Sequence, residues 1–551
     1  MSLKPDPIPP IPEETQRVAQ AAFPHGTIYM QMHDMFSNLY RDNHFADLFP
    51  ARGQPAEAPW RLALVTIWQF LEHLTDRQAA DAVRSRIDWK YGLALPLEDA
   101  GFDHTVLSEF RTRLVTGNAE MRLLDMLLNV CKAQGWLKAR GRQRTDSTHV
   151  LAKIRALNRL LCVGQTMVYV LSVLAEVAPE WLLTLAQPEW VQRYGQRLEH
   201  ERLPQGEEAR AAYANQVGAD GWSILVALDD STTPDWLRHL PVVAAMRRIW
   251  EQQYWPLDAG GQWRTKDQVP PPAHMINSPY DEDARYSVKR SMQWVGYKVH
   301  FSESCDEALP HLITHVATTR AGVNDDRMTR PIHQALHEKH LLPAEHLVDT
   351  GYVDAELLLT SQQEFGVDLI GPTRKNYKWQ AQQQTGFATE NFEIDWDHHH
   401  ATCPERHRSI SWTPAMDRGQ NPVVKIKFST TDCQPCPSRA RCTTSTRHIR
   451  RTITLRPQEQ AQALAAARHR EQTTAFQERY RQRAGIEGTH SQGTRTMGLR
   501  RSRYVGLEKT HLQHVATAVA INLLRLLAWQ NGIPLAPTRQ SPFVLLMRSA
   551  A

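Results

Sequence analysis

Between residues 294 and 371, short runs of β-forming residues alternate with helical stretches, and this alternation limits the fold more than any other feature. The runs WVGYKVHFS (294–302) and HLITHVATT (311–319) alternate in polarity and predict two paired strands. Four further elements, in the order helix, strand, helix, strand, are predicted at 328–339, 346–349, 355–364 and 367–371. Such an order predicts a mixed α/β sheet.

The first strand of this sheet lies far upstream. The segment RQRTDSTHVLA (142–152) is short, contains β-branched residues and follows a helix, so it predicts a strand. A Trp-rich helical stretch (155–255) and a Gly/Pro-rich linker (260–279) separate it from the next strand. The composition, 42% apolar and 22% charged, is that of a globular chain with several structural units.

The predicted organisation places two insertions in one core. Its parts are a flexible N-terminal arm (1–20), a helical DNA-binding domain (21–141), a first part of the core (142–154 and 285–371), a helical insertion (155–284), a Cys-containing insertion (372–454) and C-terminal helices of the core that carry Glu487 (455–551).

Helical patterns dominate the N-terminal region. Apolar residues recur at helical spacing over 59–74, Thr75 suits the cap of a second helix (76–87), and a third helix is predicted over 105–115. The third helix is expected to expose Ser108, Arg111 and Arg113. Such an arrangement is typical of a helix-turn-helix-like DNA reader, but a generic helix bundle has the same pattern.

Two aspartates, Asp146 and Asp349, lie at the ends of predicted core strands. The ends of strands are where open α/β sheets place their sites, although each aspartate alone also suits a turn. A third carboxylate, Glu487, follows Tyr480 and Arg483 at the spacing i, i+3, i+7, which lines one helix face. An ordinary charged helix can show the same spacing by chance.

Three carboxylates suit Mg²⁺, which prefers oxygen ligands. Two such ions, Mg²⁺ or Mn²⁺, held by Asp146, Asp349 and Glu487 would activate an attacking water or 3′-hydroxyl and stabilise the leaving oxygen in phosphoryl transfer. Tyr480 and Arg483 are then predicted to contact a phosphate near the cut.

Residues 439–503 contain fifteen arginines, no lysine and four acids, whereas the whole chain has a formal net charge of only +5. Arginine offers a planar fork of donors to phosphate oxygens, so this region suits a DNA backbone. The predicted phosphate contacts beyond Tyr480 and Arg483 are Arg495, Arg500, Arg501 and Arg503. A charge run taken alone is more often a solvated helix face.

Three motifs together resemble the DDE-class transposases of bacterial insertion sequences. They are TDST (145–148), VDTGY (348–352) and YRQRAGIE (480–487). The family pattern continues with a lysine after six further residues, where this chain has Thr494 with Arg495 beside it. The resemblance implies a ribonuclease H-like core, recognition of terminal inverted repeats and of target DNA, and a homodimer that joins two element ends.

The cysteines are unevenly spaced. Of seven, four fall in the second insertion, namely Cys403, Cys433, Cys436 and Cys442. The pair C-x2-C suits a zinc knuckle, and four thiolates could hold a structural Zn²⁺. The wider gaps to the other two cysteines leave reduced loop cysteines as the alternative.

Other features exclude function classes. The Pro-rich N-terminus lacks a signal pattern, and the apolar stretch 160–178 is interrupted by polar residues, so we expect neither secretion nor a membrane span. A cytoplasmic, nucleoid-associated bacterial protein is expected. Asp325, Asp326 and Asp354 are predicted to cap turns or helices rather than to join the site.

The sequence therefore predicts a DNA transposase that binds the terminal repeats of its element and catalyses cleavage and strand transfer. Two alternatives stay open, a non-transposing DNA-binding regulator with the same fold and a simple metal-dependent DNA nuclease.

Overall fold

The computed structural model describes residues 1–155, 157–200, 203–289, 291–383 and 385–534, with residues 543, 546 and 547 beyond them. The N-terminal region is helical, as predicted. Its helices are α1 (Glu13–Ala22), α2 (Ile28–Phe36), α3 (Pro59–Leu71), α4 (Asp76–Ser85), α5 (Ile87–Gly92), α6 (Thr105–Thr116) and α7 (Arg122–Ala133).

Local capping fixes where these helices begin. The Thr75 side chain accepts a hydrogen bond from the Gln78 N–H and the Gln78 side chain accepts one from the Thr75 N–H, which forms the predicted start of α4. The flexible arm predicted for residues 1–20 is wrong from Glu13 onward. Helix α1 is packed there, because Ala19 is fully buried and Thr15 donates to the Leu95 carbonyl over 2.8 Å.

A mixed sheet forms the centre of the molecule and confirms the predicted α/β class. Its strands are β1 (Arg142–Leu151), β2 (Arg285–Lys289), β3 (Met292–Ser304), β4 (Ile313–Arg320), β5 (Glu345–Val348) and β6 (Asp368–Ile370). The order is β2-β3-β1-β5-β6, with β4 also paired to β3. Strand β1 runs antiparallel to β3 and parallel to β5. Two helices join the later strands, α14 (Asp326–Glu338) and α15 (Ala355–Phe365).

The insertion after β1 is helical, as predicted. It contains α8 (Arg159–Val177), α9 (Pro179–Leu185), α10 (Pro188–Tyr194), α11 (Glu207–Asp229), α12 (Asp235–Arg238) and α13 (Pro241–Gln253). These helices have a buried cluster of their own, which includes Val163, Leu225 and Trp250. The N-terminal helices, in contrast, share one buried cluster with the central sheet.

The insertion after β6 is less irregular than its sequence suggests. It contains α16 (Trp379–Gln382), β7 (Glu393–Asp395), β8 (His400–Thr402), β9 (Ser411–Met416), β10 (Pro422–Lys427), α17 (Thr430–Cys433), α18 (Arg439–Cys442) and β11 (Thr452–Leu455). Strands β9, β10 and β11 form one small sheet and β7 and β8 another. Its core is small, consisting of Phe387, Phe392, Ala401, Ile426, Phe428 and Ile453.

The long helix predicted over 457–486 is wrong, because the chain breaks twice there. Its pieces and the helices that follow are α19 (Gln458–Glu471), α20 (Thr474–Arg481), a 3₁₀ turn (Gln482–Ala484), α21 (Gly485–Thr496) and α22 (Leu507–Gln530). The Thr473 hydroxyl accepts from the Phe476 N–H and starts a new helix. Gly485, a poor helix former, begins α21 after the 3₁₀ turn.

Helix α22 packs between the sheet and the N-terminal helices. The Asn522 side chain accepts from the Ile313 N–H over 2.7 Å and donates to the Ile313 carbonyl over 2.8 Å, which docks the helix on β4. By length and composition α8 and α22 would both qualify as membrane spans, although 50% and 78% of their apolar windows are buried inside the protein. Contrary to the expectation from its sequence, the polar residues of α8 do not exclude it as a membrane span by this test. Buried core helices of soluble proteins pass the same test.

Candidate active site

Neighbouring strands bring Asp146 and Asp349 together. Strand β1 pairs in parallel with β5, and Thr145 lies opposite Val348. Asp146 is therefore the next residue along β1, and Asp349 is the next residue after β5. Because neighbouring parallel strands are in register here, the two carboxylates lie side by side. The expectation that Asp146 ends its strand is wrong, since β1 continues to Leu151.

The Arg483 guanidinium connects all three predicted carboxylates. Its Nη2 donates to the Asp146 Oδ2 and lies 3.9 Å from the Asp349 Oδ2, while its Nη1 donates to the Glu487 Oε1 over 3.0 Å. The Asp146 and Arg483 side chains are mostly buried, whereas the Glu487 side chain is 65% exposed. We call these four residues the carboxylate cluster. Residues remote in sequence thus meet at one partly open site.

Burial shapes the charge of this cluster. It raises the pKa of the Asp146 carboxyl to about 6, against the lowering by the Arg483 guanidinium and by the Ser147 N–H. Burial opposes the charge of Arg483, but the carboxylates around it raise its pKa overall. Three carboxylates facing one guanidinium leave an excess of negative charge, which attracts cations.

In the described part of the chain, no three His, Cys, Asp or Glu side chains are already arranged as a metal site. In the carboxylate cluster the Arg483 guanidinium contacts all three carboxylates. Tyr480 does not share one continuous helix with Glu487. It lies at the end of α20, where its ring stacks on Phe476 at 5.5 Å between centroids. Burial raises the pKa of its hydroxyl, so it remains a donor.

A second charged group, which the sequence did not reveal, lies beneath the site. The fully buried Glu303 of β3 accepts hydrogen bonds from Arg144 of β1, from Arg525 of α22 and from the Thr489 hydroxyl of α21. Its two arginines hold the pKa of the Glu303 carboxyl below its ordinary value, although burial, the largest single influence, raises it. We call these four residues the Glu303 cluster.

Arg144 joins the two clusters. It precedes Asp146 by two positions on β1, and its Nη1 donates to the Gln482 carbonyl directly before Arg483. Its guanidinium packs so closely on Gly485 that a Cβ atom there would overlap it. A side chain at position 485 would therefore displace the Arg144 guanidinium, and the present contact holds the segment that carries Arg483 and Glu487 against β1.

The other predicted phosphate contacts differ in how available they are. Arg495 and Arg501 are exposed. Arg500 donates from Nε to the Thr148 hydroxyl over 2.9 Å, which places it beside β1. Arg503 is occupied within the protein, because it donates to the Leu74 carbonyl and to His73 and lies 4.8 Å above the Phe70 ring.

The expectation that α6 exposes arginines is wrong. Arg111 is only 6% exposed, since it pairs with Asp76 and lies 5.2 Å above the Tyr504 ring. Arg113 is half-buried, and its Nη1 donates to the Leu48 carbonyl over 3.2 Å. Both residues hold α6 against its neighbours, so helix α6 cannot read DNA with Arg111.

The predicted decoys lie outside the carboxylate cluster. Asp354 caps α15, as predicted, by accepting from the Leu357 N–H over 2.8 Å. Asp325 is not a side-chain cap; it pairs with Lys298 at 3.1 Å. Asp326 is the first residue of α14 and pairs with Arg374 at 2.7 Å.

The four cysteines of the second insertion line one pocket, together with His407 and Asp432. They are free thiols. Burial raises the pKa of the Cys442 thiol to about 11, and the charges of the other three cysteines act in the same direction. The four thiols are therefore neighbours, and that of Cys442 is protonated at neutral pH.

Comparison with known families adds two matches. A model described as Transposase DDE domain matches residues 402–527, and one described as Transposase domain (DUF772) matches residues 17–113. The first segment contains Tyr480, Arg483 and Glu487, and the second runs from within α1 to within α6. No curated protein matches the chain.

Proposed function

Because the chain belongs to the DDE transposases of insertion sequences, we propose that it cuts the ends of its element and joins them to target DNA by two-metal phosphoryl transfer. The observation that carries this proposal is the carboxylate cluster. Asp146, Asp349 and Glu487 come from two strands and a distant helix, yet all three contact Arg483. A site with excess carboxylate, open on the Glu487 side, suits hard cations and a polyanionic substrate.

The sheet supports a ribonuclease H-like core. Strand β3 runs antiparallel to both β4 and β1, and β5 and β6 continue in parallel to β1. Asp146 on β1 and Asp349 after β5 then occupy adjacent central strands.

Asp146, Asp349 and Glu487 would hold two Mg²⁺ or Mn²⁺ ions, which supply activation of the attacking oxygen and stabilisation of the leaving oxygen. The buried Asp146 and the half-buried Asp349 would fix the position of the site, and the exposed Glu487 would close it from the side of the substrate. Arg483 has a buried Nε without a partner among the described residues. Once its guanidinium leaves the carboxylates, it would bind a phosphate beside the cut, with the Tyr480 hydroxyl as a second donor.

The DNA partners are the terminal inverted repeats and the target duplex. The exposed Arg495 and Arg501, together with Arg500 beside Thr148, would follow the phosphate backbone. We further propose a homodimer, since two ends must be joined in one complex, and a nucleoid-associated location in a bacterial cytoplasm.

Strand transfer tests the proposal directly. Purified protein, Mg²⁺ and a labelled duplex that carries the element's terminal repeat should yield both cleaved ends and products joined to a target plasmid. A simple nuclease would give cleavage without joined products, and a DNA-binding regulator would shift the duplex in a gel without cutting it. Either result would exclude transposition by this chain.

We also propose a structural Zn²⁺ on Cys403, Cys433, Cys436 and Cys442. Four thiols in one pocket support it, and so does the small core around them, because so few buried residues rarely stabilise a unit unaided. Binding requires the thiols to deprotonate and draw together. Protein prepared without chelators should contain about one zinc per chain and lose it in Cys436→Ser. Metal-free protein would exclude this site.

A further inference from the structure

A mostly buried ion pair lies beside the turn that follows Asp349. Lys298 of β3 donates from Nζ to the Asp325 Oδ1 over 3.1 Å and to the Val323 carbonyl over 2.7 Å. Only 14% of the Lys298 side chain and 12% of the Asp325 side chain is exposed. A buried ion pair is weak evidence for stability, so its place beside Asp349 needs another explanation.

The turn itself runs directly against this pair. It is a 3₁₀ turn (Thr350–Tyr352) that starts at Asp349, and we call it the Asp349 turn. A Cβ atom at Gly351 would lie 3.2 Å from the Asp325 Oδ2 and 3.5 Å from the Asp349 Oδ1. The Asp325 and Asp349 carboxylates therefore both adjoin Gly351, and a side chain at position 351 would crowd Asp325.

The two oxygens of the Asp349 carboxylate have different surroundings. Oδ1 accepts a hydrogen bond from the Gly351 N–H over 2.6 Å, which ties it to the Asp349 turn. Oδ2 lies 3.9 Å from the Arg483 Nη2, within the carboxylate cluster. The direction in which Asp349 presents Oδ2 therefore depends on where the turn lies.

Two further contacts hold the Asp349 turn, and both come from the elements that the ion pair connects. The Tyr352 carbonyl accepts from the Thr329 hydroxyl of α14 over 2.8 Å, and the Tyr352 hydroxyl shares a hydrogen bond with the His300 Nδ1 of β3 over 2.6 Å. His300 and Lys298 are two positions apart on β3 and share one face of the sheet, and Asp325 directly precedes α14. The ion pair thus joins the two elements on which the turn rests.

Building on the proposed function, we infer that Lys298 and Asp325 are positioning residues for the metal ligand Asp349. Lys298 holds Asp325 and the start of α14 against β3, and Asp325 limits where the Asp349 turn can lie. The Asp349 Oδ2 is thereby aimed into the carboxylate cluster. Mg²⁺ demands near-ideal octahedral geometry, so its binding depends on this aim, whereas Mn²⁺, a larger ion that takes the same ligands, tolerates a displaced carboxylate better.

Charge and position predict different outcomes when one partner of the pair is changed. Lys298→Met removes a cation near the site, and Asp325→Asn removes an anion, each at similar side-chain size. If the pair acted through charge alone, the first change would tighten cation binding and the second would weaken it. Because the pair acts through position, both changes weaken cation binding, since either one releases the Asp349 turn.

The experiment measures Mn²⁺ binding to full-length protein without DNA by electron paramagnetic resonance, and cleavage of a terminal-repeat duplex with Mg²⁺ or Mn²⁺. Lys298→Met and Asp325→Asn should each weaken Mn²⁺ binding by about 10- to 100-fold, the usual cost of losing a group that orients a metal ligand. Each should lose more cleavage with Mg²⁺ than with Mn²⁺. The double variant leaves no unpaired buried charge, so it should fold and show the same loss. Asp326→Asn, which breaks the neighbouring pair with Arg374, is the matched control and should bind Mn²⁺ like the wild type.

Opposite shifts of Mn²⁺ affinity in the two single variants, or wild-type affinity in the double variant, would overturn the inference. If the wild type binds Mn²⁺ and Asp349→Asn abolishes this binding while the three pair variants match the wild type, only the positioning role is wrong. If the wild type binds no Mn²⁺, or Asp349→Asn leaves its binding unchanged, the proposed metal site fails and the inference fails with it.

Discussion

The carboxylate cluster and the Glu303 cluster lie on two sides of the same segment, and they hold charge in opposite ways. In the carboxylate cluster three acids surround one arginine, and the Glu487 side chain is 65% exposed. In the Glu303 cluster one acid lies between Arg144 and Arg525, and its side chain is fully buried. One group has unused negative charge and an open side, whereas the other is closed.

This difference separates a site from its support. A buried acid whose oxygens all accept hydrogen bonds has no capacity left for a ligand, and removing it leaves its partners uncompensated. A carboxylate group that exceeds its counter-charge can accept a cation, and losing one member leaves no buried cation unpaired. We therefore expect changes in the first cluster to affect catalysis and changes in the second to affect folding.

The largest effect is expected on cleavage. Asp146→Asn, Asp349→Asn and Glu487→Gln each remove one anionic ligand at nearly constant shape, and each should reduce cleavage by about three orders of magnitude or more. Binding of the terminal repeat should survive, because it depends on other surfaces. Cleavage is measured on a labelled duplex with Mg²⁺, and binding is measured separately by gel shift. Asp354→Asn, at a helix cap, is the control and should stay active; normal cutting by Glu487→Gln would show that the third ligand is misassigned.

The next effect is on stability. Glu303→Gln should lower the free energy of unfolding by about 3–5 kcal/mol, since Arg144 and Arg525 lose their buried partner. Denaturant unfolding measures this loss. The matched control is Glu364→Gln, which breaks the exposed pair with Arg330 and should cost less than about 1 kcal/mol. Equal losses in the two variants would contradict the supporting role of Glu303.

The free energy of unfolding should also depend on pH, because several histidines are buried and their pKa values are lowered. Burial lowers the pKa of His300, His333, His490 and His511 to about 4, below the ordinary 6.5. Between about pH 4 and pH 6.5 these histidines bind protons in the unfolded chain but not in the folded chain. Stability should therefore fall as pH drops from about 6.5 to about 4, by up to about 1.4 kcal/mol per pH unit for each histidine.

Asp146 acts with the opposite sign in this range. Its folded pKa of about 6 is above the ordinary 3.8, so its protonation favours the folded state as pH falls from 6. The histidines outnumber it and should dominate. Denaturant titrations at neutral and mildly acid pH measure the slope, and His333→Gln should reduce it. A flat profile for the wild type would mean that these histidines are accessible.

The smallest effects concern the arginines. Replacing the exposed pair Arg495 and Arg501 by alanine should flatten the salt dependence of DNA binding. Arg503→Ala should instead destabilise the fold by about 1–2 kcal/mol, because its hydrogen bonds to Leu74 and His73 and its contact with Phe70 are lost. Gel shifts at several salt concentrations measure the effect on DNA binding, and denaturant unfolding curves measure the effect on stability. The reverse pattern would place Arg503 on DNA.

Local signals in the sequence were enough for much of the fold. The capped start at Thr75, the cap at Asp354 and the strand that carries Asp146 were predicted from neighbouring residues and are confirmed. The carboxylates of the site were proposed from strand ends and a motif, and the structure brings them together around Arg483. These features depend on a few adjacent residues, so sequence patterns reveal them.

Features that depend on distant partners were not predictable. Arg111 looked exposed because its partners are distant in sequence: Asp76 lies in α4 and Tyr504 lies between α21 and α22. The role of Glu303 requires Arg144 and Arg525, which are far apart in sequence. One signal was present nonetheless, since Glu303 continues the alternate positions of Val299 and Phe301 on β3, where an acid must find a buried partner.

The long separation between Asp146 and Arg483 also has a consequence during protein synthesis. These partners are 337 residues apart. At a translation rate of about 10 residues per second, β1 leaves the ribosome roughly half a minute before the segment that completes the site. Throughout that interval the nascent chain contains the strand of Asp146 but not the helix of Glu487. A chain released early therefore lacks Arg483 and Glu487 and cannot complete the carboxylate cluster.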